Sequence, residues 1–281
     1  MDNYDSITFD SIYAMGAHVR DSRAHDDDRK HGKSSTHGKS SAAFYGNMSL
    51  NESTEIALNG GAWADGLPTL PRVHMPNTNI HGNTIDQPQI NSDIVGFAPN
   101  VGAYVSGAPD SMLYMMPEPV SDKHIKIAVN IRYSSVVDTN QIANRGAAII
   151  AVLDQLTLDG YAVELWAVYS ARDLGVGVII STCIKTSDAP LSPEAIAYAL
   201  CSPSYSRRLC FRVSESIRGS NNAAIISGSN YGYAGELDAS LYHVTFDQVC
   251  VDNCKSFNTI TGAVEYVQTD VKTQLNLEEA V

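Results

Sequence analysis

Residues 124–169 read HIKIAVNIRYSSVVDTNQIANRGAAIIAVLDQLTLDGYAVELWAVY, and this stretch predicts a βαβ unit. Isoleucine or valine occupies every second position from 125 to 131, which is the side-chain period of a strand. A helix follows, because Asp138 is a suitable N-cap with a glutamine three residues later, and Gly160 supplies the left-handed residue that ends many helices. The apolar run at 162–169 then predicts a second, parallel strand that is buried on both faces.

The segments after this unit complete an α/β sheet. Only about six residues separate Tyr169 from the apolar run at 176–184, which is too short for a parallel crossover, so this run is expected to be an antiparallel edge strand. Pro193 opens a helix, since proline is tolerated at the first helical position. Further elements are predicted as strands at 209–213, 223–227 and 242–251 and an amphipathic helix at 260–275. The predicted fold class is α/β, a three-layer αβα sandwich with a mostly parallel sheet and an irregular N-terminal extension.

The chain before residue 121 is predicted to form that extension. Residues 25–41 contain HGKSS twice and almost no apolar residue, so they cannot offset their own ordering entropy. Ser49 and Glu52 have the spacing of a capping box, and Trp63 is expected to anchor this part of the chain to the sandwich. The predicted organisation is an N-terminal helix at 1–21, a disordered linker at 22–43, an irregular accessory segment at 44–120 and an α/β domain at 121–281.

The composition limits the classes of partner. A formal net charge of −12 over 281 residues repels phosphate backbones, so nonspecific nucleic-acid binding is not expected. No apolar run reaches the roughly 20 residues that a membrane span requires, and no signal peptide is recognisable. The five cysteines lack the spacing of a disulfide framework, which fits a reducing compartment. The sequence therefore predicts a soluble cytoplasmic protein without a membrane partner.

Motifs that could bind a nucleotide or a metal ion are incomplete. Gly32-Lys33-Ser34 imitates the end of a phosphate-binding loop, but Asp27 stands where that loop requires its first glycine. Cys250 and Cys254 lack a second pair of ligands at zinc spacing. No metal site and no cofactor is predicted.

The evidence for catalysis is equally limited. Ser134 follows a strand, where nucleophiles often lie, and His124 and His243 could act as bases. No spacing connects these residues, and a serine-rich turn is the simpler interpretation. No catalytic residue is predicted, and the chain is expected not to be an enzyme.

The order of elements resembles the von Willebrand A-like fold over residues 123–275: a central first strand, a long helix, a second strand and an antiparallel edge strand. In that fold, the loop after the first strand binds a metal ion through an Asp-x-Ser-x-Ser motif. The matching residues here are Asn130, Arg132 and Ser134. Mg²⁺ prefers carboxylate oxygens, and Arg132 places a cation where a second positive charge would bind. The resemblance therefore implies a von Willebrand A-like domain at 121–281 without the metal.

A second resemblance covers most of the chain outside the predicted linker. It is carried by SIYAMGAHVRD at 11–21, SLNESTEIALNGGAWADGL at 49–67, FAPNVGAYVSGAPDSMLYM at 97–115 and NRGAAIIAVLDQLTLDGYAVEL at 144–165. These stretches together resemble a bacteriophage-encoded family of unknown function. The resemblance implies a phage origin, action in the cytoplasm of the host bacterium and a phage or host protein as the unidentified partner.

The function predicted from these patterns is that of a non-catalytic protein-interaction module. In open α/β sheets, ligands meet the crevice beyond the carboxyl ends of the strands. Arginine and tyrosine are also favoured at interface hot spots. The residues predicted to contact a protein partner are Arg132, Tyr133, Ser134 and Arg218.

Two alternatives stay open. One is a nucleic-acid-associated accessory factor of phage replication or transcription, which would use a basic cluster with aromatic residues for base stacking. That cluster comprises Arg207, Arg208, Arg212 and Arg218, with Tyr205 and Phe211. The other is a virion-associated structural protein, because such proteins need no chemical signature.

Overall fold

The structure is a computed structural model. It describes residues 3–22, 42–64, 66, 68, 70, 90–95, 98–115, 124–173, 175–190, 192–217, 233–247 and 254–275. Residues 23–41 of the predicted linker at 22–43 and the predicted strand at 223–227 lie outside these residues.

The described residues form strands, α-helices, a π-helix and 3-10 helices. The strands are β1 (Asn3–Phe9), β2 (Ile90–Asp93), β3 (Ala98–Pro99), β4 (Met112–Met115), β5 (His124–Asn130), β6 (Ala162–Asp173), β7 (Val176–Lys185), β8 (Tyr233–Ala234) and β9 (Val244–Phe246). The α-helices are α1 (Ile12–Asp21), α2 (Leu50–Leu58), α3 (Val101–Val105), α4 (Thr139–Leu158), α5 (Pro193–Cys201), α6 (Phe211–Ser216) and α7 (Ile260–Gln274). A π-helix (Tyr205–Cys210) precedes α6, and 3-10 helices span Ala42–Tyr45 and Cys254–Asn258.

The predicted βαβ unit is confirmed and lies at the centre of the main sheet. β5 and β6 pair in parallel, and α4 connects them. Asp138 accepts a hydrogen bond from the Gln141 N–H at 2.8 Å, and the Gln141 side chain accepts one from the Asp138 N–H at 3.0 Å, which completes the predicted capping box. Gly160 follows the helix with φ +83°, a conformation that favours glycine.

The sheet continues past the strand that was predicted to be its edge. Its order is β1-β7-β6-β5-β9, with β8 beside β6. β7 is antiparallel to β6, as its short connection predicts, but β1 pairs in parallel along its outer side, so β7 is an interior strand. The sequence suggested only a helix at 1–21. A strand was missed because β1 mixes polar and apolar residues, as an edge strand can when only one side of it is paired.

The apolar core lies on one face of the main sheet. The core side chains of β5 are Ile125, Ile127 and Val129, and the helices α1, α4, α5 and α7 contribute to the same cluster. On the opposite face, the Tyr242 ring lies 5.2 Å from the ammonium group of Lys126 in β5. The chain is therefore α/β with a mixed, mostly parallel sheet, and the third layer of the predicted αβα sandwich stays a prediction.

One predicted strand is wrong. Residues 209–213 lie in the π-helix and in α6, although Leu209, Phe211 and Val213 alternate as strand residues do. Polar neighbours such as Ser206 and Ser214 are also buried in this region. Alternation cannot identify a strand when every side of the segment is buried.

The accessory segment is more regular than predicted. The capping box of α2 is present, because the Ser49 hydroxyl accepts from the Glu52 N–H and the Glu52 carboxylate accepts from the Ser49 N–H. Trp63 packs against the core, with its ring 6.0 Å from that of Tyr198. Further along, β2, β4 and β3 form a separate antiparallel sheet. No helix among the described residues is both long and apolar enough to cross a bilayer.

Candidate functional site

The candidate site is the rim loop, residues 131–138, which connects the carboxyl end of β5 to α4. Asn130, the last residue of β5, is buried and fixes the start of this loop. Its side-chain oxygen accepts a hydrogen bond from the Arg132 N–H at 3.0 Å, and its side-chain nitrogen donates to the Gly235 carbonyl at 2.7 Å. Both the oxygen and the nitrogen of the Asn130 amide are therefore hydrogen-bonded within the protein.

The predicted partner residues divide into half-exposed and buried ones. Arg132 is half-exposed, donates to the Tyr133 carbonyl and lies 5.8 Å from the centre of the Tyr169 ring. Ser134 is also half-exposed. Tyr133, by contrast, is 2% exposed and donates from its hydroxyl to the Leu200 carbonyl at 3.3 Å. Tyr133 therefore holds the loop in place rather than offering a contact surface.

Arg218 lies outside the described residues. The outer surface of the rim loop also includes the exposed Ser135 and Val136, which were not among the four predicted contact residues. Val136 is 62% exposed. The accessible part of the rim loop thus combines a guanidinium group, two hydroxyl groups and one apolar side chain.

A buried arginine on α4 occupies the carboxyl ends of two parallel strands. Arg145 is 3% exposed, and its guanidinium donates to the carbonyls of Asn130 at 3.0 Å, Phe246 at 3.0 Å and Asp247 at 2.7 Å. These carbonyls belong to the ends of β5 and β9. The guanidinium is thus a cation that the protein itself supplies at the position where the strand ends converge.

This arrangement does not fit a divalent metal ion at the implied site. The motif position Asn130 uses its amide for structural hydrogen bonds, and the nearby strand-end carbonyls are already satisfied by Arg145. A metal ion would also face the positive charges of Arg132 and Arg145. Among the described residues, no group of three histidine, cysteine, aspartate or glutamate side chains is placed to bind a metal.

A second buried arginine holds the rim loop from below. Arg207 is 2% exposed and donates to the carbonyls of Phe44, Ser134 and Val137 at 2.9, 3.3 and 3.0 Å. Its guanidinium also stacks 3.9 Å from the centre of the Phe44 ring. Burial, together with the positive charge of nearby Arg132, lowers the pKa of Arg207 to about 10, so the group stays charged at neutral pH.

The described members of the predicted nucleic-acid cluster pack inward instead of forming a surface. Arg208 donates to the Met48 carbonyl at 3.1 Å and stacks on Tyr45, and Arg212 donates to the Ser22 carbonyl at 2.8 Å and pairs with Glu215. The two aromatic residues predicted to stack on bases, Tyr205 and Phe211, are buried. The described arginines of this cluster join the N-terminal segment to the core.

The candidate nucleophile and the candidate bases lie at opposite ends of β5. Ser134 follows the carboxyl end, whereas His124 begins the strand, bonds to Glu164 at 3.2 Å and contacts the ring of His243. Lys126 lies between the rings of Trp166 and Tyr242 in the same surface cluster. This cluster links neighbouring strands by ion pairs and cation–π contacts, and it does not reach the rim loop.

A further exposed surface lies on the small antiparallel sheet and α3. Its apolar side chains are each at least 68% exposed: Ile94, Val95, Val101, Tyr104 and Val105. Residues 101, 104 and 105 share one side of a helical turn, a spacing visible in the sequence once the helix is known. We call these three side chains of α3 the accessory apolar patch.

Comparison with known proteins identifies a family but no activity. A protein-family model described as a domain of unknown function, DUF7192, matches residues 3–279. No curated protein and no solved structure matches the chain.

Proposed function

We propose that this chain, which belongs to the DUF7192 family, is a non-catalytic protein-interaction module that binds its partner through the rim loop. The contact residues are Arg132, Ser134, Ser135 and Val136, with Tyr133 in a supporting role. Arg218 stays a predicted contact, since it lies outside the described residues.

The observation that carries the proposal is the fixation of the loop by two buried arginines. Arg145 and Arg207 bind carbonyls at the start, middle and end of the loop region, namely those of Asn130, Ser134 and Val137. Breaking such bonds would leave charged groups unsatisfied in the interior, so the loop keeps one shape. A preorganised loop loses little conformational entropy on binding, which favours affinity.

The charge of the loop indicates the chemistry of the partner. The protein carries a net charge of −12, yet two guanidinium groups, those of Arg132 and Arg207, lie close enough for one to lower the pKa of the other. A carboxylate on a partner would relieve this repulsion, and Val136 offers an adjacent apolar contact. The proposed partner therefore presents an acidic group beside an apolar residue.

The proposed lineage rests on the two resemblances. The order β7-β6-β5-β9, with β5 in the interior of the sheet and β7 antiparallel to β6, supports a von Willebrand A-like domain that has replaced its metal by arginine. A bacteriophage origin, with action in the host cytoplasm on a phage or host protein, is the matching proposal for its biological setting.

The test compares three double variants of an affinity-tagged protein produced in infected bacteria. Arg132→Glu with Val136→Asp alters the rim loop. Arg20→Glu with Tyr13→Asp makes the same chemical changes at exposed positions of α1 and serves as the matched control. The proteins that co-purify are quantified by mass spectrometry before and after nuclease treatment, and melting temperatures confirm that the variants fold.

We expect the rim variant to lose at least 90% of one partner that the wild type and the α1 control retain. Retention of every partner by a folded rim variant would refute the rim loop as the binding site. Loss of the partner on nuclease treatment would instead support the nucleic-acid alternative.

The accessory apolar patch favours a second candidate, the virion-associated structural protein, because an exposed apolar surface of this kind is typical of assembly contacts. The third variant, Tyr104→Asp with Val105→Asp, tests it. Incorporation of the wild type into purified particles, and its loss in this variant alone, would support the virion role over the rim-loop proposal.

A further inference from the structure

The outer side of β9 is closed by a side chain rather than by another strand. β9 has three residues, and Val244 and Phe246 are buried and lie in register with Ile127 and Val129 of β5. Between them, the Thr245 N–H donates to Oε1 of Gln274 at 2.7 Å, and Nε2 of Gln274 donates to the Thr245 carbonyl at 2.8 Å. Successive residues of a strand direct their polar backbone groups to opposite sides, so those of Thr245 face away from β5.

The amide of Gln274 therefore makes the two hydrogen bonds that a residue of a neighbouring strand would make. A primary amide has the necessary acceptor and donor on one rigid plane, and its second N–H is also used. That N–H donates to Oδ1 of Asp270, one turn earlier on α7, at 2.9 Å. The contact with Asp270 orients the amide towards the strand.

Closing Thr245 closes the whole outer edge of β9, because it is the one residue of this short strand whose N–H and C=O point outward. No other strand can pair there while Gln274 is in place. Unpaired strand edges are a common route to association between identical chains. Gln274 is also the last residue of α7, where helices fray most easily.

We propose that Gln274 is a lock on the sheet edge: its amide takes the place of a neighbouring strand and keeps β9 from pairing with a second copy of this chain. Opening of the last turn of α7 releases the lock. This device is independent of the rim loop and of the function proposed for it.

The test replaces Gln274 by Met, which has a similar length and helix propensity but cannot make either hydrogen bond. The matched control is Thr273→Met, at the exposed preceding position of the same helix. Hydrogen exchange measured by NMR reports on the Thr245 N–H. Sedimentation velocity over a hundredfold range of protein concentration reports on self-association.

For Q274M we expect the Thr245 N–H to exchange at least tenfold faster than in the wild type at the lowest protein concentration, where the variant is monomeric, and the average mass to rise with concentration. The wild type and T273M should show neither change. Wild-type exchange in Q274M, an unchanged mass at all concentrations, or equal association of T273M would overturn the proposal.

A second variant keeps the test decisive if Q274M does not fold. Gln274→Glu retains the acceptor for the Thr245 N–H and removes the donors to the Thr245 carbonyl and to Oδ1 of Asp270. We expect this variant to keep slow exchange at Thr245 but to associate with rising concentration. A folded Q274E that stays at the wild-type mass would refute the lock.

Discussion

Arg145 shows how one residue can determine the character of a site. Its guanidinium joins the carbonyls of Asn130, Phe246 and Asp247, which belong to two different strands and the residue that follows one of them. We predict that Arg145→Met lowers the free energy of unfolding by about 3 kcal/mol, because the methionine leaves buried carbonyls without donors. Chemical denaturation measures this loss.

The control for that prediction is Arg172→Met, a guanidinium that is half-exposed and only loosely paired with Glu236. It should change stability by less than about 0.5 kcal/mol. Equal stabilities of the two variants would contradict the structural role of Arg145. The burial of Arg145 is predictable from the sequence, because it lies three residues after Ile142 and four before Ile149, on the apolar side of α4.

At the scale of elements, local signals located helices better than they described strands. The capping boxes before α2 and α4 were predicted from two residues each, because capping is satisfied within one turn of the chain. β1 and the π-helix were missed. Their structures depend on what packs beside them, β7 in one case and the N-terminal segment in the other, and neither neighbour is local in sequence.

Gly146 provides a test of the packing between two such elements. A Cβ atom at this position would lie 2.4 Å from Sγ of Cys201 and 2.7 Å from the Leu200 carbonyl oxygen, so α4 and α5 would have to separate. We predict that Gly146→Ala destabilises the protein by about 2 kcal/mol, despite the better helix propensity of alanine. Thermal unfolding followed by circular dichroism measures the effect.

The comparison for Gly146 is a helical glycine with open space around it. At Gly102 in α3, a Cβ atom would meet only Oδ1 of Asn100, at 3.6 Å, which is an ordinary contact. Gly102→Ala should therefore leave stability unchanged or raise it slightly. A G146A protein as stable as G102A would show that the two helices are not in close contact.

For the whole molecule, the sequence predicted the α/β class and the antiparallel direction of β7, but not the extent of the sheet. It also predicted a protein-binding site in the loop after β5, but it could not show that the Tyr133 side chain is buried. Side-chain direction in a loop depends on distant residues. Here the partner of Tyr133 is Leu200, at the end of α5.

A further prediction for the whole molecule concerns divalent metal ions. Because Arg132 and Arg145 place positive charges around the rim loop, we expect Mg²⁺, Mn²⁺ and Zn²⁺ to show no stoichiometric binding by calorimetry. The measurement uses a variant without residues 25–41, since the histidines and aspartates there can bind transition metals weakly. A single site of micromolar or tighter affinity would contradict the expectation.

The guanidinium of Arg145 is a covalent part of the chain, whereas a bound metal ion can dissociate. Metal-dependent binding sites empty when the free ion becomes scarce. The rim loop, by contrast, keeps this cation whatever the supply of metal ions. Under the proposed function, control over binding lies with the partner, through its abundance, its location and the charge of its own surface.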